Sequence, residues 1–170
     1  IAEKGVVEYL EAARQARATR PDLRFRLVGP AETDGPGRVP LEQVESYAGD
    51  VEYLGELADV RPVLREAECL VLPSYREGMP RTVLEAASMG RVSLVSDVEG
   101  CRHAIQPGVT GFLFEARSAA SLAQAVISLA EKDAAEVATM SRAASRIAEE
   151  RFSERLCIEP YLDLFEDLRR

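Results

Sequence analysis

One histidine, three cysteines and no apolar run near the ~20 residues of a membrane-spanning helix are the first things this 170-residue sequence withholds. Without a long apolar run, no segment reads as a bilayer-spanning helix, and no signal-like N-terminus is visible. His103 stands alone and no Cys-x-x-Cys occurs, so there is little material for a zinc site, and the absence of any Asp-x-Asp pair argues against a bound divalent ion. Cys69, Cys101 and Cys157 are odd in number and widely scattered, which fits free thiols in a reducing compartment better than a disulfide framework. Cytoplasmic localisation is therefore expected. Positive charge is also short: 21 Lys and Arg against 29 Asp and Glu leave a net charge of -8. That balance opposes general binding to nucleic acid or anionic lipid, because such partners are held by cations neutralising phosphates. A local anion site remains compatible with it. There is no internal repeat and no low-complexity tract.

What is present suits one globular domain. Hydrophobic residues at 46% and charged residues at 29% are ordinary for a soluble protein of this class, and the length is enough for a single core. Val6, Val7, Leu10, Ala13 and Ala16 recur at helical spacing, so 6–19 reads as a helix, ended by Pro21-Asp22. Strands are expected at 25–28, 51–54, 69–72, 92–95 and 112–114. Helices are expected at 41–48, 60–67 and from Pro80 to about 89, where Gly90 ends the run, with a polar loop over 31–38 and a short helical turn over 100–105. From Ser118 onward only helices are expected, over 118–131, 133–150 and 153–168, with Ser118 and Ser153 as N-caps. Five short strands separated by single helices predict an α/β, Rossmann-like domain: one parallel sheet with helices on both faces and C-terminal helices beyond it. Ligands in such folds bind beyond the carboxyl ends of the strands. The loops after Val28, Leu54, Leu72 and Val95 would then share one rim.

The third of those loops carries the chemistry. Glu77 and Glu85 flank the run Gly78-Met79-Pro80-Arg81-Thr82-Val83-Leu84. Gly78 would let a ligand approach the backbone closely, and Pro80 would sit in the first turn of the following helix, where a missing N–H costs nothing. The N–H groups of Arg81, Thr82 and Val83 would then be unpaired beside the positive end of the helix dipole, a setting for a diphosphate. Glu85, about a turn and a half along, could accept from both hydroxyls of a ribose. Glu77 would do the same for a sugar and stabilise positive charge at its anomeric carbon. An isolated pair of glutamates would more simply be a loop acid and a solvated helix residue; the surrounding pattern argues otherwise. Tyr53 and Leu54 end a strand at the rim and either edge a nucleobase or pack in the core. Arg81 and Arg102 are placed where they could face anions. His103 reads as a solvated residue and Cys101 as a packing residue with no activating partner.

The segment from Leu72 to Pro80, then Leu84-Glu85-Ala86, Gly90, Asp97, Gly100-Cys101-Arg102, Gly108 and Thr110-Gly111-Phe112 resembles the group 1 (family 4) retaining glycosyltransferases of the two-Rossmann-domain, or GT-B, type. The resemblance covers nearly all of residues 1–170 and implies the C-terminal domain that holds a nucleotide-sugar donor. It implies that Glu77 with the backbone of Gly78, Met79 and Pro80 contacts the donor sugar, that the Thr82 and Val83 amides approach the diphosphate, and that Glu85 takes the ribose. Lys4-Gly5 is similar to the end of the family's Arg-Leu-x-x-x-Lys-Gly element, which makes Lys4 a cation for the departing diphosphate and, with Glu77, part of the catalytic pair. The same pattern places an arginine, a first strand and an N-terminal acceptor domain upstream of Ile1. By itself, residues 1–170 would bind nucleotide weakly and transfer nothing. The resemblance further implies no cofactor beyond a nucleotide-sugar substrate, most similar to a UDP-sugar, and a role in bacterial surface polysaccharide synthesis on lipid-linked acceptors at the inner membrane. It also implies that the last helix packs toward the other domain through Leu156, Tyr161, Leu164 and Phe165. Two rivals are a non-catalytic Rossmann-like nucleotide- or protein-binding module, and an epimerase of the same architecture, which would need acid and base residues not found around Glu77.

Overall fold

A one-turn 3₁₀ helix, Ala2–Lys4, leads through Gly5 into α1 (Val6–Thr19), and strands and helices then alternate: β1 (Phe25–Leu27), α2 (Leu41–Glu45), β2 (Val51–Tyr53), α3 (Arg61–Glu66), β3 (Cys69–Leu72), α4 (Arg81–Ser88), β4 (Val92–Ser96), α5 (Glu99–Ala104) and β5 (Gly111–Phe114). Three helices close the chain: α6 (Ala119–Ala130), α7 (Ala134–Phe152) and α8 (Glu154–Asp167). The structure is a computed structural model that describes residues 2–30 and 37–169, without the side chains of Cys157, Glu166 and Asp167. Most of the loop expected over 31–38 therefore lies outside the described residues, as does the thiol of Cys157.

All strand pairings are parallel, as the alternation predicts, but the strands form two ladders where one sheet was expected. β1 pairs with β2, and β3, β4 and β5 pair in that order. The break falls at the outer edge of β1. The Leu54 amide donates to the Leu27 carbonyl at 2.9 Å, so Leu27 turns its polar groups toward β2. Alternation along a strand turns Arg26 the other way. Its carbonyl meets no strand; it accepts from the Tyr9 hydroxyl of α1 at 2.9 Å.

One core nevertheless serves both ladders. Phe25 and Val51 of the first, with Val92, Leu94 and Phe114 of the second, pack against Leu10, Ala13 and Ala16 of α1 and Leu122 and Val126 of α6. Leu10, Leu94 and Leu122 are fully buried there, about 2 kcal/mol of burial each, and this apolar layer joins ladders that share no strand pairing. The opposite face of the larger ladder packs Val95 with Val83 of α4 and Cys101, Ala104 and Ile105 around α5. Successive residues of β4 thus serve opposite faces, Leu94 one and Val95 the other, and every residue of that strand is buried.

The helix ends hold one expectation, one surprise and one correction. Ser118 caps α6, its hydroxyl accepting from the Ser121 amide at 3.2 Å. Asp133 caps α7 in a reciprocal box with Glu136 that the sequence reading did not single out. Pro80 sits at the N-cap of α4, one residue outside the first turn where it was expected. Ser153 lies between α7 and α8. Along α8, Leu156, Tyr161, Leu164 and Phe165 are all exposed, the residues through which the resemblance implies packing toward another domain.

Candidate functional site

The loop from Pro73 to Pro80 leaves the carboxyl end of β3 and enters α4. Two glycines bring the chain against it from opposite sides. Gly5 adopts a left-handed backbone, φ 69°, and a Cβ there would overlap the Pro73 carbonyl oxygen. Gly100, in the first turn of α5, lies so close to the carbonyls of Glu77 and Gly78 that a Cβ would collide with both. Only glycine fits at either place. Gly78 differs: nothing lies within 4 Å of where its Cβ would be, and its backbone is not left-handed. No packing inside the protein requires a glycine at 78, so the open space beside it suits an approaching ligand.

The N-terminal turn runs antiparallel to this loop. Gly5 faces Pro73, the Tyr75 amide donates to the Glu3 carbonyl at 2.8 Å, and the Lys4 ammonium donates to Glu77 Oε1 at 2.7 Å. The fold thus joins the two residues proposed from sequence as a catalytic pair across 73 positions of chain. Their exposures are unequal, 50% for the Lys4 side chain and 13% for Glu77. The carboxylate is held inward and satisfied by the ammonium, while the ammonium keeps a solvent-facing side with which to meet an anion.

At the start of α4 the structure corrects the expected donor set. The Val83 amide donates to the Pro80 carbonyl at 3.0 Å, and the Val83 side chain is fully buried. With Pro80 as the N-cap, Val83 is the third helical residue and finds an acceptor within the turn; it is not a free diphosphate donor. Arg81 and Thr82 occupy the first two helical positions, whose amides have no intrahelical acceptor. Thr82 is exposed, Met79 is 44% exposed and Pro80 is buried. Glu85 is exposed further along α4.

The remaining candidates separate clearly. Tyr53 donates its hydroxyl to the Gly29 carbonyl at 2.9 Å and its ring packs against the core, so its polar end is engaged within the fold. Leu54 is half-buried at the carboxyl end of β2. Arg102 does not stand free for an anion: it pairs with Asp97 and holds that carboxyl below its ordinary range. His103 is exposed in the last turn of α5. Cys101 is buried, its thiol pushed up to about 11 by desolvation and then by nearby Glu77, so it is no activated nucleophile. Desolvation likewise raises Cys69 to about 12, and both thiols are free. Among the described residues no three potential ligand side chains gather for a metal, and no helix is long and apolar enough to cross a membrane.

Sequence reasoning missed one arrangement altogether. Tyr75, inside the motif loop, donates its hydroxyl to Glu8 Oε1 of α1 at 2.6 Å, and the Arg117 guanidinium lies over its ring at 4.5 Å. No local spacing links residues 8, 75 and 117, so only the fold could reveal them together.

Comparison with known proteins bears on the family and the fold. A profile described as glycosyl transferases group 1 matches residues 1–132. The chain is 32% identical over 163 residues to the N,N'-diacetylbacillosaminyl-diphospho-undecaprenol alpha-1,3-N-acetylgalactosaminyltransferase of Campylobacter jejuni, covering 96% of this chain and 41% of that one. It is 36% identical over 142 residues to the D-inositol 3-phosphate glycosyltransferase of Streptomyces avermitilis, covering 76% of this chain and 30% of that one. The fold is similar to that of Anabaena HepE, solved in complex with UDP, with a TM-score of 0.86 at 21% identity over 98% of this chain and 46% of that one. The chain spans less than half the length of each of these proteins.

Proposed function

This chain belongs to the group 1 glycosyltransferases, and on that premise we propose that it is the donor-binding, C-terminal part of a longer retaining enzyme that moves a hexose from a nucleoside diphosphate, UDP in the first instance, to an acceptor. One observation carries the reading: the Lys4–Glu77 pair sits beside the open backbone of Gly78 and the first turn of α4. An arriving diphosphate meets a half-exposed ammonium together with the Arg81 and Thr82 amides at the positive end of a helix. Lys4 exchanges Glu77 for phosphate oxygens, which frees the carboxylate to accept hydrogen bonds from the donor sugar. When the bond from the anomeric carbon to phosphate breaks, its electron pair leaves with the diphosphate; Lys4 offsets the added negative charge, and Glu77 faces the positive charge left on the sugar. The backbone of Gly78, Met79 and Pro80 lies along the sugar, Glu85 accepts from both ribose hydroxyls, and Leu54 edges the base. The nucleotide sugar is a substrate, and neither a metal nor another cofactor enters this scheme.

The longer protein would supply the acceptor side through its own N-terminal domain, and a further parallel strand between β1 and β3; the unjoined edges of the two ladders support that strand. A lipid-linked acceptor is supported by the name of the Campylobacter relative, whose substrate is an undecaprenol diphosphate-linked sugar; with such an acceptor the longer protein would work at the cytoplasmic face of the inner membrane, in surface polysaccharide synthesis. The test is calorimetric titration of UDP, GDP and inorganic pyrophosphate into this chain and into two variants. UDP should bind; Glu85→Ala should weaken it about tenfold, the loss of charged hydrogen bonds to the ribose, and leave pyrophosphate unchanged. Lys4→Ala should weaken both ligands. If neither this chain nor the longer protein bound any nucleoside diphosphate, the reading would fail.

A further inference from the structure

We propose that Tyr75 is a positioning residue for the donor site, braced by Glu8 and Arg117 so that Glu77 keeps its place after Lys4 has turned to the phosphate. This rests on the donor-site reading above. A surface ion pair such as Lys4–Glu77 holds little by itself, and the proposed mechanism dissolves it at the moment the carboxylate is needed. Something else must fix the loop. Tyr75 lies two residues before Glu77 and is attached at three points, two to the N-terminal segment and one to the connection between β5 and α6. Its amide donates to the Glu3 carbonyl at 2.8 Å, its hydroxyl to Glu8 Oε1 at 2.6 Å, and its ring carries the Arg117 guanidinium at 4.5 Å.

Two further observations mark the brace as more than incidental packing. Arg117 is the one non-glycine residue with a positive φ, 63°, among the described residues, a conformation long side chains rarely adopt. An outlier of that kind persists where the surroundings impose it, and here it lies in the short connection between β5 and α6, with the guanidinium held on the Tyr75 ring. Glu8, in the first turn of α1, has its second oxygen, Oε2, buried without a partner. Among the described residues its side chain bonds only the tyrosine, through Oε1. Glu3, Lys4 and Glu8 thus hold Tyr75 and Glu77 from one side, and Arg117 covers the ring.

The experiment uses the 170-residue chain with UDP and UDP-glucose as probes, and reads both calorimetric affinity and hydrogen exchange at the residue-75 amide. Tyr75→Phe should lower UDP-glucose affinity about tenfold, the size of one hydrogen bond to a carboxylate, lower UDP affinity less, and speed exchange at residue 75. Glu8→Gln, which still accepts from the phenol, should retain both properties, whereas Glu8→Ala should behave like Tyr75→Phe. Arg117→Gly suits the left-handed backbone, so it should leave the melting temperature equal or higher while still speeding that exchange. Unchanged exchange and an unchanged UDP-glucose to UDP ratio in Tyr75→Phe and Arg117→Gly would overturn the proposal. If the parent chain bound neither probe, the donor-site reading would be decided on the longer protein, as above; exchange at residue 75 would still decide the brace, and unchanged exchange in both variants would refute it.

Discussion

The loop Pro73–Pro80 and the helix α8 are opposites. The loop has no regular secondary structure, yet Gly5, Gly100, Glu3, Lys4, Glu8 and Arg117 all reach it from elsewhere in the chain. The helix spans Glu154–Asp167, with Pro160 inside it, yet its apolar residues stand in the open, Tyr161 at 66% and Phe165 at 60% exposure. Regularity and tertiary fixation are therefore separate properties. A helix needs only local spacing and backbone hydrogen bonds, whereas a loop takes one conformation only if distant parts of the chain impose it. In this protein it is the irregular segment that is held from many sides, and it is the one that carries Glu77.

The sharpest way to break that contrast is to loosen the loop at its glycines. Gly5→Ala and Gly100→Ala each drive a methyl group into backbone carbonyl oxygens, and Gly5 adds a left-handed φ. Each should cost about 3 kcal/mol or more in chemical denaturation, and a milder loss would mean that the loop shifts at little expense. A smaller effect should appear in alkali. The Tyr75 phenol is raised from 10.0 to about 12, chiefly by desolvation and then by its bond to Glu8. The folded chain therefore holds a proton that the unfolded chain releases. The resulting stabilisation is complete below pH 10 and declines as pH rises through 10 to 12. Tyr9 is raised in the same sense, so denaturation midpoints of Tyr75→Phe across this range should fall less steeply than those of the parent without becoming flat. The smallest change should come from α8. Leu164→Glu or Phe165→Ser, at exposed positions, should alter stability by no more than about 0.5 kcal/mol; sedimentation should show less self-association if the bare apolar side drives any. A large destabilisation there would erase the difference between the two regions.

Much of the architecture was legible from spacing. α1 and β3 fall where periodicity put them, and the other described elements differ from expectation by a few residues at their ends. Buried β4 and amphipathic α6 declare themselves because their apolar residues are neighbours in sequence or one turn apart. The misreadings at Pro80 and Val83 fall at one helix start. Sequence shows that a proline opens a helix, but whether it is the cap or the first helical residue depends on its ψ, here 101°. The Val83 amide is engaged for a separate reason: as the third helical residue it has no i−4 acceptor inside the helix, and it closes a tighter i→i−3 bond to the Pro80 carbonyl. Arg102 is placed by sequence where it could face an anion; its pairing with Asp97, five residues before it across the Val98 N-cap of α5, follows no simple helical spacing.

Residues 1–170 determine by themselves an alternating α/β chain and a loop in which two glutamates flank a glycine, a proline and a helix start, because caps, turns and side-chain periodicity are decided within a few residues. Only the tertiary structure decided that the strands form two ladders over one apolar layer, that Lys4 meets Glu77, that Gly100 lies under the same loop, and that Tyr75 is tied to Glu8 and Arg117. The side-chain hydrogen bonds among them join positions 67 and 73 residues apart. At such separations packing, and not local propensity, selects which groups meet.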